Sequence, residues 1–217
     1  MADMRAFRDA VTGWAAGGPG GPASDLAVQL GVRTAVLLEG PSDVAAVGAL
    51  AERRGRDLDA EGVCVVPMGG AMSVGRYAEL LGPTGLDLRL VGLCDENEQR
   101  FYDRALERTQ RAQAGQPGQA APAPHGHIFV CVKDLEDELI RALGTARVEE
   151  IVQAENDHRA WQTFLHQPAQ HGRPRQQQLR RFLGTKKGRK IRYGRLLVEA
   201  LDPGQVPAPL DDLLTSL

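Results

Sequence analysis

Acidic side chains follow three separate apolar runs of this sequence, at the points where the runs end. These carboxylates are Glu39 and Asp43 after the first run, Asp95 and Glu98 after the third, and Asp134 and Glu136 after the fourth. Carboxylates gathered in one cleft repel one another, so such a group is costly unless a cation or protons compensate. Oxygen ligands suit Mg²⁺ or Mn²⁺, and two such ions can stabilise the attacking and leaving oxygens of a displacement at phosphorus. The pattern predicts phosphodiester chemistry at a site with two such ions.

Each of these acidic residues also has an ordinary structural role to weigh against a metal. Ser42 and Asp43 are residue types that cap helix N-termini, and Asp134 has capping-box spacing to Asp137. Glu98, like most charged residues, is equally suited to a solvated helix surface. Three acidic strand ends together favour the metal hypothesis over these separate roles.

The elements that must position the acidic residues are short apolar runs alternating with helical periods. This alternation predicts an α/β fold with a mostly parallel, Rossmann-like sheet flanked by helices and followed by a helical C-terminal extension. The carboxyl ends of parallel strands meet at one edge, where ligands usually bind. The predicted strands lie at 34–38, 63–66, 88–94 and 127–132.

The chain divides into three parts by composition. We expect a helical and linker leader at 1–32, an α/β domain at 33–143 and a helical, basic region at 144–217. Residues 116–124 are rich in Pro, Ala, Gly and Gln, which predicts an exposed loop. Gly69 and Gly70 follow the second strand and predict a turn where a phosphate can approach the backbone.

Composition limits the class of protein. A formal net charge of -2 excludes a uniformly basic nucleic-acid-binding surface, so any such surface must come from local charge. Three cysteines without C-x-x-C spacing indicate buried, reduced thiols. Since no apolar stretch has the length of a signal or membrane segment, we expect a cytoplasmic protein without membrane contact.

Four segments together resemble the TOPRIM domain of topoisomerases, primases and OLD-family nucleases, with the OLD family the nearest match. The resemblance extends over about residues 33–143, and the chain looks like a stand-alone TOPRIM protein without the family's ATPase domain. The segments are Leu-Leu-Glu-Gly-Pro-Ser-Asp at 37–43, Val-Pro-Met-Gly-Gly at 66–70, Gly-Leu-Cys-Asp-Glu-Asn-Glu at 92–98 and Asp-Leu-Glu-Asp-Glu-Leu at 134–139.

The resemblance implies roles for individual residues. It makes Glu39 a metal ligand that also moves protons, Asp95 the first aspartate of the family's Asp-x-Asp metal motif, and Asp43 a further ligand. It adds Asp134 or Glu136 as ligands and one downstream lysine, for which Lys190 is preferred over Lys186 and Lys187. The second motif aspartate is missing here, so Asn97 or Glu98 would have to supply its oxygen.

Positive charge is concentrated near the C-terminus, where no Asp or Glu occurs between Arg159 and Arg195. Such a run neutralises phosphates and gives salt-dependent affinity for nucleic acid. The alternative is a solvated helical surface facing the acidic region. The predicted DNA-binding residues are Arg180, Arg181, Lys186, Lys187, Arg189 and Arg192.

Taken together, the sequence predicts a Mg²⁺- or Mn²⁺-dependent endonuclease acting on DNA. The alternative is a non-catalytic module that binds nucleic acid or a separately encoded ATPase, and Asn97 is the observation in its favour. A homodimer through the helical region is a further expectation. A phosphatase with an aspartyl nucleophile is disfavoured, because Asp95-Glu96-Asn97 lacks the second aspartate that such enzymes need.

Overall fold

Four strands form the centre of the protein. The computed structural model describes residues 3–114 and 126–217. Apolar and β-branched residues dominate the strands, and the first two are buried almost throughout, as expected for a sheet covered on both faces. The strands are β1 (Thr34–Leu38), β2 (Val63–Pro67), β3 (Arg89–Asp95) and β4 (Gly126–Cys131).

The strands form one parallel sheet in the order β2-β1-β3-β4. Thr34 pairs with Val63 on one side and with Arg89 on the other, and Asp95 pairs with Cys131. All strands therefore point the same way, and the segments that follow β1, β3 and β4 meet at a common edge. The predicted α/β class and mostly parallel sheet are confirmed.

Helices cover both faces of the sheet and make up the C-terminal region. Within the described ranges, the helices are α1 (Met4–Ala15), α2 (Gly21–Leu30), α3 (Pro41–Arg53), α4 (Val74–Leu81), α5 (Gln99–Ala114), α6 (Leu135–Leu143), α7 (Thr145–Ala154), α8 (His158–Leu165), α9 (Arg175–Leu183), α10 (Lys187–Glu199) and α11 (Ala208–Ser216).

The N-terminal helices belong to the core. Phe7 and Val11 of α1 are fully buried in the apolar cluster that covers one face of the sheet, and the Arg8 Nε group donates a hydrogen bond to the Val65 carbonyl oxygen at 2.7 Å. The helix α2 ends at Gly31, which has a φ of 62°, a left-handed conformation that glycine adopts without strain. The segment that the sequence assigned to a leader thus contains two helices, and α1 contributes buried residues to the core.

The C-terminal helices share a second apolar cluster with the other face of the sheet. This cluster joins β-strand residues such as Val36 to Trp161, Phe182 and Leu214. The guanidinium of Arg53 donates to two carbonyl oxygens at the end of α10, which ties α3 to that helix. The helical C-terminal region therefore packs against the sheet through a common core.

Three further expectations concern the rest of the chain. Cys64, Cys94 and Cys131 are buried free thiols, as the sequence predicted. Burial raises the pKa of Cys64 to about 11, which disfavours the reactive thiolate. Among the described residues, no helix is long and apolar enough to cross a membrane. The predicted loop at 116–124 lies outside the described residues.

Candidate metal centre

The candidate site lies at the carboxyl edge of the sheet. Glu39 follows the last residue of β1, and Asp95 ends the neighbouring strand β3. Glu98 immediately precedes α5, and its backbone N–H donates to the Asp95 carbonyl oxygen at 2.9 Å, which closes the turn between strand and helix. The strand order thus brings together residues that are distant in the chain.

Glu39, Asp95 and Glu98 form a carboxylate trio. Each offers one oxygen, and these three oxygens lie within 4.8 Å of one another. The Oε2 atom of Glu98 is buried and has no hydrogen-bond partner among the described residues. A buried, unpartnered carboxylate oxygen costs free energy unless a cation or proton satisfies it.

The pKa values of two members show this cost. Burial, followed by the charges of Asp134 and Glu39, raises the pKa of Asp95 to about 8. Burial and the nearby Glu39 raise the pKa of Glu98 to about 7. Without a cation nearby, Asp95 therefore favours its protonated form at neutral pH, and Glu98 is divided between its protonated and ionised forms.

The donor set fits a hard divalent cation. All three groups supply carboxylate oxygen, the ligand type that Mg²⁺ and Mn²⁺ prefer, and neither soft sulfur nor imidazole belongs to the trio. The orphaned Glu98 oxygen would gain its missing partner from such an ion. Of the two residues that could replace the missing second motif aspartate, Glu98 lies beside Glu39 and Asp95, whereas Asn97 is exposed.

The other predicted ligands lie beside the trio and already have partners. Asp43 accepts a hydrogen bond from the Gly40 N–H at 3.0 Å, and Asp134 accepts one from the Asp137 N–H at 2.8 Å. Both therefore act as helix-capping residues, the structural role considered for them above. The second oxygen of Asp134 forms an ion pair with Arg180, so it would have to leave this arginine to reach a metal.

Glu136 is paired with the predicted lysine. The Lys190 Nζ atom lies 3.2 Å from Glu136 Oε1. Burial raises the pKa of Glu136 to about 7, although Lys190 opposes the shift. Burial alone would lower the pKa of Lys190, but the charges of Glu136 and Asp43 outweigh it and raise that pKa. The ammonium group is thus held charged beside the acidic cluster.

The acidic residues form two neighbouring groups that differ in whether cations pair with them. The trio is a group of carboxylates with too little positive charge, and it is the one such group of three close ligands among the described residues. In the neighbouring group, Arg180 pairs with Asp134 and Lys190 with Glu136, although burial still raises the pKa of Asp43 and of Glu136. The geometry therefore favours the trio as the first place for a cation.

The glycine loop borders the site. Gly69 and Gly70 have φ values of 74° and 127°, which a side chain would strain, and a Cβ at either position would meet open space. The Gly70 N–H donates to the Glu39 carbonyl oxygen at 3.0 Å, so this loop is attached to the residue that carries the first carboxylate. Its approach to a phosphate stays a prediction.

The basic C-terminal segment differs from its predicted form. The prediction that Arg189 contacts DNA is wrong, because its side chain is buried and paired with Asp157 at 3.1 Å. Arg192 also pairs with Asp157, and Arg180 with Asp134. Arg181 and Lys186 are exposed. The side chain of Lys187 lies outside the described part of the structure.

Sequence reasoning also missed a position that shapes the site. A Cβ on Gly194 of α10 would lie 2.6 Å from the carbonyl oxygen of Ser42 in α3. The two helices approach this closely only because residue 194 lacks a side chain. Gly194 lies one helical turn after Lys190, so the two residues share one side of α10. The sequence shows this spacing but does not show that α10 packs against α3.

One known protein family matches part of this chain. The family model "Overcoming lysogenization defect protein-like, TOPRIM domain" matches residues 32–96, which contain Glu39, Asp43 and Asp95. No curated protein sequence matches at a significant level.

Solved structures similar to this fold cover most of the chain. The C-terminal region of the Burkholderia pseudomallei OLD protein has 22% identity and a TM-score of 0.60, covering 85% of this chain and 96% of its own. The mercury-phased C-terminal region of the Xanthomonas campestris pv. campestris OLD protein has 24% identity and a TM-score of 0.59, covering 85% and 93%. The predicted resemblance is confirmed, since residues 32–96 match the OLD-like TOPRIM model and the fold is similar to that of the C-terminal regions of OLD proteins.

Proposed function

We propose that the protein is a Mg²⁺- or Mn²⁺-dependent nuclease that hydrolyses phosphodiester bonds of DNA. The observation that carries the proposal is the trio of Glu39, Asp95 and Glu98, whose oxygens lie within 4.8 Å of one another. An uncompensated carboxylate group can bind such an ion, and a charged lysine nearby can stabilise the charge on a transferring phosphoryl group.

The residues take distinct roles in this proposal. Glu39, Asp95 and Glu98 hold the ion, which when bound would polarise the scissile phosphate and lower the pKa of the attacking water. Lys190 binds a phosphate oxygen and stabilises the charge that develops there. Glu39 doubles as the residue that moves a proton, as the family resemblance implies.

A second ion is part of the proposal, with Asp43, Asp134 and Glu136 as its ligands. Arg180 and Lys190 now neutralise two of these groups, so the ion would bind only when these cations turn toward the phosphates of the substrate. Such an exchange would couple substrate binding to completion of the site.

DNA is proposed to contact the exposed cations of the basic segment. Arg181, Lys186 and Arg192 are the exposed candidates, with Lys187 added from the sequence prediction alone. Their contribution would weaken as salt increases. A separately encoded ATPase partner, a homodimer and a cytoplasmic location stay predictions.

Nicking of supercoiled plasmid in Mg²⁺ or Mn²⁺ tests the proposal. Wild type is compared with Glu39→Gln and Asp95→Asn, each of which removes one ligand charge with little change of shape. Glu96→Gln is the matched control, because Glu96 is exposed beside Asp95. We expect nicking by wild type and the control, none by the two ligand variants, and none by any protein in excess chelator.

The same assay distinguishes a non-catalytic module. This alternative rests on Asn97, which occupies the place of the second motif aspartate. Equal inactivity of wild type and all variants, with DNA still bound, would favour the module. Equal activity of wild type and Asp95→Asn would contradict the metal trio.

A further inference from the structure

The helix α5 carries a stripe of arginines that the C-terminal basic segment does not include. Arg100, Arg104 and Arg108 are four residues apart, and Arg111 follows one turn later. Residues at this spacing share one side of a helix. All four are exposed, whereas Tyr102 and other residues on the opposite side of the helix pack into the core.

Three of the four arginines form no ion pair within the part of the chain that the structure describes, although Asp103 and Glu107 lie on the same helix. Among the described residues, no carboxylate lies within 4.0 Å of Arg100, Arg104 or Arg108, and only Arg111 forms an ion pair, with Glu107. The arginines of the C-terminal segment differ, because most of them are paired within the protein. Those pairs join Arg175 to Glu149, Arg180 to Asp134, Arg189 and Arg192 to Asp157, and Arg195 to Glu52.

The stripe borders a groove between α4 and α5. Arg76 of α4 and Arg108 of α5 line this groove, which has a volume of about 520 Å³. Thr84, Thr109 and the single acidic residue Glu79 also line it. Arg76 is exposed, and no carboxylate in the described ranges is within 4.0 Å of it.

The helices that form the groove are connected to the segments that carry the carboxylate trio. The helix α5 starts one residue after Glu98. Met72 lines the groove and is 79% exposed, and it belongs to the turn that follows Gly70, whose N–H donates to Glu39. Both walls of the groove thus start from segments that carry or contact the trio.

We propose that the groove between α4 and α5, together with the arginine stripe along its edge, is a second DNA-binding surface, in which Arg76, Arg100, Arg104 and Arg108 contact the phosphates on one side of the cleavage point. The inference rests on the proposed function, since it assigns the path of the substrate that the trio would cut. Arg100 and Arg108 are separated by about 12 Å along the helix axis. That length corresponds to about three phosphates of one DNA strand. Met72 contacts the apolar part of the nucleotide nearest the trio.

The experiment measures DNA affinity without cleavage. Fluorescence anisotropy of a labelled DNA duplex is followed in chelator at several salt concentrations. The variant R100Q/R104Q/R108Q is compared with wild type and with R5Q/R33Q/R147Q, which removes the same charge from exposed positions elsewhere. Circular dichroism and Mn²⁺ binding confirm that each variant is folded with an intact trio.

We expect the groove variant to lose at least about tenfold in affinity, and the slope of log affinity against log salt to fall by about 2 to 3. The control should stay within about twofold of wild type. Equal affinities of the two variants would overturn the groove while leaving the proposed function in place. If wild type does not bind DNA, both the groove proposal and the proposal that DNA is the substrate are contradicted. The role of the carboxylate trio is tested separately, by the loss of nicking in Glu39→Gln.

Discussion

The Lys190 ammonium lies 3.2 Å from Glu136 Oε1, and this pair joins the first turn of α10 to the first turn of α6. Lys190 thereby reaches the carboxyl edge of the sheet from the C-terminal region. Because the charges of Glu136 and Asp43 raise its pKa, the ammonium stays protonated across the working range of most nucleases. A charged donor is therefore fixed beside the carboxylate trio before any substrate binds.

Replacement of Lys190 by Met should abolish most cleavage while the protein still folds. Loss of a preorganised donor to developing charge costs about 100-fold or more in rate. Single-turnover nicking at saturating DNA measures the chemical step, and Lys190→Arg should recover part of the rate because it keeps the charge. A Lys190→Met rate within about threefold of wild type would reject this lysine as the phosphate-binding group.

Glu98 should matter more for metal binding than Asn97. Glu98 contributes an oxygen to the trio, whereas Asn97 is exposed. We expect Glu98→Gln to weaken Mn²⁺ binding at least about tenfold, since even residues behind the ligands change affinity by about 10 to 100-fold. Electron paramagnetic resonance titration gives the affinity, and Asn97→Ala serves as the control. If Asn97→Ala weakened Mn²⁺ binding more than Glu98→Gln, Asn97 would be the residue that replaces the second motif aspartate.

Without metal, the protein should become less stable as pH rises from about 5 to 8.5. Asp95 has a pKa of about 8 in the folded state and 3.8 as its ordinary value. The folded protein therefore binds more protons in this range, and the free energy of unfolding falls as those protons are lost. Urea unfolding in chelator measures this slope, which should be smaller in Asp95→Asn.

Added Mn²⁺ supplies the control for the same experiment. A cation bound to the folded state should restore stability at pH 8.5 in wild type, where the carboxylates are ionised and ready to bind it. Stability that rises with pH in chelator would contradict protonation of the trio.

The fold could be predicted from local patterns because its strands are short apolar runs with clear ends. The run at 34–38 coincides with β1, and the predicted start of the last strand differs by one residue from Gly126. Residues 4–30 were harder to assign. Their burial depends on how α1 and α2 pack on the sheet, and a leader interrupted by glycines gives no sign of this.

The candidate site was predictable in outline only. Strand ends identified Glu39 and Asp95, since parallel topology brings such ends together. The choice of Glu98 over Asn97 depends on the turn before α5, which composition does not specify. The pairing of Arg180 with Asp134 and of Arg189 with Asp157 depends on packing between distant helices. The sequence therefore predicted more arginines free to contact DNA than the structure contains.

Asp157 should be a stability residue. It accepts hydrogen bonds from Arg189, Arg192 and Tyr193, and the Arg189 side chain is only 4% exposed. Asp157→Ala leaves that guanidinium buried without its counter-charge, which should cost about 3 kcal/mol. Urea unfolding measures the change. Glu155→Ala, which removes a longer contact to Arg192 at 3.6 Å, should cost far less, and equal losses would show that Asp157 has no special role.

Gly194 should be essential for activity because it sets the distance between α10 and α3. A methyl group there would lie 2.6 Å from the Ser42 carbonyl oxygen, which is backbone and cannot turn aside. Gly194→Ala must therefore push the helices apart, and Lys190, one turn earlier in α10, moves with its helix away from Glu136 and Asp43. We expect a loss of cleavage larger than the loss of stability.

Gly188 is the matched control for this prediction. It lies in the same helix, but a Cβ on it would meet no atom within 4 Å. Gly188→Ala should keep full activity and raise stability by about 0.5 to 1 kcal/mol, because alanine loses less backbone freedom in a helix than glycine does. Nicking rates and urea unfolding of both variants give the comparison. If Gly194→Ala nicks DNA as fast as Gly188→Ala, the close approach of α10 to α3 does not position Lys190.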